Sequence, residues 1–168
     1  DLEPGARSPQ ASLRSLRTRP GLRVELMAAE PLIRDPVAFD WGIDGKLWVA
    51  EMIDYPQGKT GDARHGGKVV YLEDTDSNGS YDKSTVFLEG LNFPNGVHPW
   101  NKGVLITAAP DIIYAEDTDG DGKADRTQKL YSGFGLGNQQ HRMNTLLWGL
   151  DNWIHCANGD SGGKIRSL

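Results

Sequence analysis

"YLEDTDSNGSYDKSTVFLEGL" at residues 71–91 and "YAEDTDGDGKADRTQKLYSGF" at residues 114–134 align without a gap. Tyr71 falls on Tyr114, Asp74 on Asp117, Gly79 on Gly122, Asp82 on Asp125 and Gly90 on Gly133, at a constant offset of 43 residues. A period of roughly 40–45 residues is that of one four-stranded propeller blade. Each copy is followed by a Gly/Asn-rich loop and an apolar strand, "NFPNGVHPW" (92–100) and "GLGNQQHRMNTLLWG" (135–149). "LIRDPVAFDWG" (32–42) holds the same place ahead of the first copy.

Outward from the duplication, the chain reads as short strands bounded by turns. They are "LRVELMA" (22–28), "PVAFDW" (36–41), "KLWVAEM" (46–52), "GGKVVYLED" (66–74), "GVHPW" (96–100) and "GVLITAA" (103–109). "DIIYAED" (111–117), "NTLLWGL" (144–150) and "NWIHCAN" (152–158) continue the series. No stretch after residue 20 carries a helical period. The expected fold is all-β: residues 21–168 as a partial β-propeller of about three four-stranded blades from a six-bladed parent. Residues 1–20 are a polar lead-in with one short helix, since Ser8 can cap it, Pro9 suits its first turn and Leu13 and Leu16 lie three apart. A closed propeller takes about 4–8 blades, and an open array exposes strand edges. The expectation is therefore a piece of a longer protein, cut at its C-terminus and lacking its signal peptide.

Composition removes several function classes. The net charge is −5 and Lys and Arg are scattered, so no basic stripe invites nucleic acid. The single cysteine, Cys156, allows neither an intrachain disulfide nor a Cys-rich metal site and reads as a buried small hydrophobe. No apolar run is long enough for a transmembrane segment.

"NGDSGGK" (158–164) carries the letters that surround the nucleophile of trypsin-like proteases, and "LITAAP" (105–110) resembles the strand that leads to their histidine. The position that needs the histidine base is Pro110, which cannot accept a proton. The stretch reads better as a strand ending in a Gly-rich turn.

Two acidic loops, "DTDSNGSYD" (74–82) and "DTDGDGKAD" (117–125), share the pattern D-x-D-x-[DN]-G-x-x-D. Oxygen donors at alternate positions with a glycine at the sharp turn are what Ca²⁺ requires. The donors are Asp74, Asp76, Asn78 and Asp82 in the first loop and Asp117, Asp119, Asp121 and Asp125 in the second, with formal charges of −3 and −4. The second loop is expected to bind tighter. An EF-hand would want glutamate at the twelfth position, where Thr85 and Gln128 stand, and helices where strands are expected. The competing reading is a pair of hairpin turns shaped by Asp and Gly alone.

"HRMNTLLWGLDNWIHCANGDSGG" (141–163) resembles the glucose/sorbosone dehydrogenase family, which includes soluble sugar dehydrogenases dependent on pyrroloquinoline quinone (PQQ). The matching letters are His141, Leu146, Gly149, Asp151, Ile154, Gly159, Asp160 and Gly162. From Leu22 onward the chain is also similar to bacterial membrane-bound dehydrogenase domains, exported propellers often joined to a c-type haem domain. The resemblance implies a periplasmic or exported oxidoreductase acting on a hydroxyl-bearing substrate such as a sugar. His141 would be the general base, PQQ the hydride acceptor, and a c-type cytochrome or haem domain the electron partner. Gln139, Gln140 and Asn144 would bind substrate, and Arg142 would meet quinone carboxylates or face solvent. The glycine usual shortly after the histidine is replaced around Met143 and Asn144. The rival reading is a non-catalytic, Ca²⁺-stabilised propeller that presents its loops to a glycan or protein. His155 alternates on a strand and reads as packing or surface, and His65 and His98 lack ligand spacing.

Overall fold

The computed structural model describes residues 5–56 and 66–168; His65 lies outside them. One short helix, α1 (Pro9–Ser15), is followed by strands β1 (Pro36–Trp41), β2 (Leu47–Glu51), β3 (Gly67–Glu73) and β4 (Lys83–Leu91). Then come β5 (Gly96–Trp100), β6 (Gly103–Ala108), β7 (Asp111–Glu116) and β8 (Arg126–Phe134). A 3₁₀ turn (Gln139–His141), β9 (Asn144–Trp148), β10 (Ile154–Ala157) and β11 (Gly163–Ser167) complete the chain. The fold is an all-β partial propeller. At α1 the Ser8 hydroxyl accepts the Ala11 N–H at 3.2 Å with Pro9 behind it, and no residue of the helix is buried. None of the helices described is long and apolar enough to cross a membrane.

β1 to β4 form one antiparallel meander and β5 to β8 a second. These are two blades, and the duplicated sequence supplies the outer hairpin of each: β3–β4 and β7–β8. The third blade departs from expectation. Only β9 and β10 pair there; β11 lies along β8, with Gly163 opposite Phe134, Arg166 opposite Ser132 and Ser167 opposite Tyr131. The free edge of β8 offers unpaired backbone groups, which the next extended segment satisfies. Gly133 and Gly163 lack the side chains that would hold the two backbones apart. The expected strand at residues 22–28 also fails to form, because no described sheet edge pairs with it. Alternating hydrophobicity provides a face to bury but not a ladder to join. The segment instead runs into Ala28, Leu32 and Ile33, which pack on Leu47, Val49, Val70 and Leu72.

Alternation in β2 and β3 explains how the blades meet. Trp48, Ala50, Val69 and Tyr71 point to the opposite face from Leu47, Val49, Val70 and Leu72. The first set joins Phe87 and presses on Val97, Val104, Ile106, Ala108 and Ala115 of the second blade. Trp48 meets Phe87 edge-on with ring centroids 4.8 Å apart. The inner strands follow one another: His98 Nδ1 lies 2.6 Å from Asp40 Oδ2 across β5 and β1, and Trp100 lies 5.0 Å from Trp148 across β5 and β9. Loops leading into β1, β5 and β9 thereby open on a common cleft.

Ile106 is fully buried at the blade interface, whereas Phe39 is 61% exposed on the outer face of the first blade. Ile106→Ala is expected to cost about 2–5 kcal/mol by urea denaturation, and Phe39→Ala well under half of that.

Candidate functional site

The loop before β9 builds one wall of this cleft. Asn138 starts the 3₁₀ turn by accepting the Gln140 N–H at 3.0 Å, which turns Gln139 and Gln140 toward the first blade. Gln140 Nε2 donates to Tyr55 Oη at 2.7 Å, and Gln139 Nε2 to the Pro56 carbonyl at 3.3 Å. Asn95 is held from both sides: its Nδ2 donates to the Met143 carbonyl at 2.8 Å and its Oδ1 accepts the Thr107 hydroxyl at 2.7 Å. The resulting cleft of about 700 Å³ is lined by Asp35, Tyr55, Asn95, Gln139, Gln140 and Asn144, among others. Thr145, also on its wall, has φ of 61°, a left-handed conformation that a β-branched residue adopts only under constraint. Gly96 lies directly against the Thr145 backbone, and any side chain there would collide with Thr107.

Of the residues expected to bind substrate, Gln139, Gln140 and Asn144 come together. His141 and Arg142 are not part of that lining. His141 follows the cleft-lining Gln140 in the chain, with its side chain 49% exposed and its Nδ1 2.8 Å from Asp160 Oδ2. A carboxylate partner requires the proton on Nδ1, which leaves the Nε2 lone pair free to accept one. The geometry behind this pair explains the protease-like letters. A side chain at Gly159 would overlap the His141 carbonyl, and one at Gly135 would overlap the Ser161 carbonyl. The glycines of "NGDSGG" let that turn lie flat against residues 135–141, with Gly135 N–H donating to the Gly162 carbonyl at 2.9 Å. The Ser161 hydroxyl is buried and bonds to nothing among the described residues.

Arg142 corrects the expectation of a solvent-facing or quinone-facing guanidinium. It is only 6% exposed, its guanidinium lies 5.0 Å from the centroid of the Phe93 ring, and its Nη2 donates to the Leu136 carbonyl at 3.0 Å. Burial pushes its pKa below the ordinary arginine value, with the nearby Asp54 carboxylate opposing that shift. The side chain is apolar enough along its stem to fill the space beneath the loop, and Phe93 provides the face it needs. His155 is a surface residue bound to Asp151 at 3.1 Å. Cys156 packs beside Ala109, Ile112, Phe134 and Met143, and burial pushes its thiol up.

Tyr55, Asp35, Asn95 and Asp160 were not among the sequence candidates. Asp160 was visible as one of the letters shared with the dehydrogenase family, but no spacing ties it to His141. Tyr55 and Gln140 are 85 residues apart, so only folding pairs them.

The acidic loops repeat in three dimensions. Gly79 N–H donates to Asp74 Oδ2 and Gly122 N–H to Asp117 Oδ2, each at 2.8 Å. These bonds hold both carboxyls below the usual aspartate value. Asp82 accepts from Thr75, and Asp125 from Thr118, in the same manner. Carboxylate oxygens of Asp74, Asp76 and Asp82 come within 4.8 Å of one another, as do those of Asp117, Asp119 and Asp121. Asn78 is turned to local bonds with Asp76 and the Ser80 N–H. Three carboxylates are therefore gathered in each loop, with Asp125 outside the second group.

Over residues 8–168 the chain matches the family described as Domain of unknown function (DUF7133), and it belongs to that family. Neither the curated proteins nor the solved structures contain a match to it.

Gly159→Ala is expected to displace His141 from Asp160 while leaving the two complete blades intact. The measurement is the ¹H–¹⁵N spectrum: the imidazole and residues 135–143 should shift, and β2 and β6 amides should not.

Proposed function

We propose that this member of the DUF7133 family is an oxidoreductase of the glucose/sorbosone dehydrogenase kind, in which His141 takes the hydroxyl proton of a sugar or alcohol. The observation that supports this reading is the His141–Asp160 pair. Its carboxylate orients the ring through Nδ1, stabilises the imidazolium that forms on proton uptake and leaves Nε2 without a hydrogen-bond partner among the described residues, on the residue next to the cleft-lining Gln140. The amides of Gln139, Gln140, Asn95 and Asn144 offer donors and acceptors suited to a hydroxylated substrate. Export, a periplasmic setting and a c-type haem partner belong to the same reading and rest on the resemblance alone.

PQQ, the hydride acceptor that the resemblance implies, is a polycarboxylate and calls for basic side chains. Among the described residues the cleft lining supplies none: Arg142 is committed to Phe93 and Leu136, and Asp35 adds a negative charge. The described residues do not fit that group. The chemistry assigned to this chain is therefore confined to holding a hydroxyl and removing its proton.

A second reading is favoured by one specific observation: the polar cleft does not include His141. On that view the chain is a binding module for a glycan or protein. Calcium serves either reading. Asp74, Asp76 and Asp82, and Asp117, Asp119 and Asp121, would hold an ion in each outer hairpin, offsetting the mutual repulsion of three gathered carboxylates.

Two measurements test these assignments. With a diffusible dye supplied as the hydride acceptor in place of bound quinone, dye reduction across a panel of sugars and alcohols is expected, and His141→Ala should lower it by roughly 10²–10⁴-fold, with Asp160→Asn lowering it less. Retained calorimetric binding of a sugar with no dye reduction by the native chain would put the binding module in front. Separately, Ca²⁺ added back after chelator treatment is expected to stabilise the fold by about 2.7 kcal/mol per loop at a hundredfold excess over Kd, read as a higher Tm. Asp76→Asn together with Asp119→Asn should remove that gain.

A further inference from the structure

The two walls of the cleft each end in a buried charge. Tyr55 follows Asp54, which is 1% exposed, and Gln140 precedes Arg142 by two positions. Both charges meet the same residue, Phe93, on the loop into β5. Asp54 Oδ2 accepts the Phe93 N–H at 2.9 Å and the Gly66 N–H at 3.4 Å, while the Arg142 guanidinium lies over the Phe93 ring. Phe93 is itself 1% exposed and has φ of 47°, a conformation that a bulky residue keeps only when its surroundings impose it.

Neither charge is fully satisfied. Asp54 Oδ1, Arg142 Nε and Arg142 Nη1 are buried and have no hydrogen-bond partner among the described residues. A lone buried charge is costly, but two of opposite sign held on one residue, Asp54 at the Phe93 backbone N–H and Arg142 at its ring, offset each other through a medium that screens poorly. The electrostatic support that Asp54 gives the guanidinium agrees with this arrangement. Asp54 comes from the loop after β2, Phe93 from the loop into β5 and Arg142 from the loop into β9, so the trio joins three blades through residues that neighbour the cleft-lining Tyr55, Asn95 and Gln140 in the chain.

We propose that Asp54 and Arg142 are positioning residues, a buried charge couple closed around Phe93 that holds Tyr55 against Gln140 and thereby sets the shape of the cleft. The consequence for substrate rests on reading this cleft as the binding site; the couple itself does not. Breaking one charge leaves the other stranded, moves the Tyr55 loop away from the Gln139–Gln140 turn and opens the wall.

A double-mutant cycle on the whole chain tests it, using Asp54→Asn, Arg142→Met and the pair together. Each single change should lower the folded-to-unfolded ratio by roughly a hundredfold or more, and the double variant should lose far less than the product of the two. A double variant that folds where a single one does not is the same result in stronger form. Positioning is read separately from the Gln140 side-chain amide, whose resonance against Tyr55 should shift in Asp54→Asn, which breaks the couple, and shift less in Arg142→Lys, which keeps the charge. Ile106→Val, destabilised in the core between blades, should leave that resonance in place. Additive losses in the cycle, or an unmoved Gln140 amide in a folded Asp54→Asn protein, would overturn the proposal. Glucose titrated by calorimetry divides the two layers: no binding to the native chain, with a coupled cycle, retains the couple and removes the substrate reading.

Discussion

A blade cannot stand alone, because burying one face of a four-stranded sheet leaves the other exposed. The contact that resolves this is the wall of Trp48, Tyr71 and Phe87 against Val104, Ile106 and Ala115. Large aromatic rings on one blade meet small and branched side chains on the next, which lets two twisted sheets approach without a void. The β6 positions are buried throughout, as are those of β2, so both central strands lie inside a stack rather than on a surface. All the functional geometry follows from this stacking. It aligns β1, β5 and β9, and only their alignment brings Tyr55 to Gln140.

The acidic hairpins contribute to the same contact. In the second blade the hairpin leans back on the first: Ala124 N–H donates to the Phe87 carbonyl at 2.8 Å, and Gly122 sits beneath the Tyr71 hydroxyl, where any side chain would collide. In the first blade the matching position is Tyr81, whose hydroxyl donates to the Gly45 carbonyl and accepts from the Trp41 ring nitrogen. The same hairpin thus does two jobs: with alanine at this position it approaches the preceding blade, and with tyrosine it ties back to β1 and the β1–β2 turn of its own blade.

At the candidate site, the cleft and the His141–Asp160 pair are separate features of one loop region. The cleft is polar and neutral apart from Asp35 among its described lining, while the imidazole pairs with Asp160. The pairing depends on glycine. Gly159 and Gly135 bring the "GDSGG" turn close enough to set Asp160 against His141, so letters that suggest a protease serve to pair a carboxylate with an imidazole. Arg142 belongs to neither feature. Its value lies in burial over the Phe93 ring, where a long cation can both fill space and answer a carboxylate.

The amino-acid sequence alone determined the all-β class, the tandem blades and the hairpins' equivalence, because a 43-residue offset in turn residues and alternating apolar positions is a local pattern written directly in the chain. It also marked Gln139, Gln140 and Asn144 as neighbours, since one short loop carries them. It could not place Asp160 beside His141, seat Arg142 on Phe93, send β11 to β8 or leave residues 22–28 without a partner strand. Those outcomes depend on which edges are free and which backbones can touch across long separations. They were decided by tertiary packing, where burial and sheet pairing override what any single segment prefers.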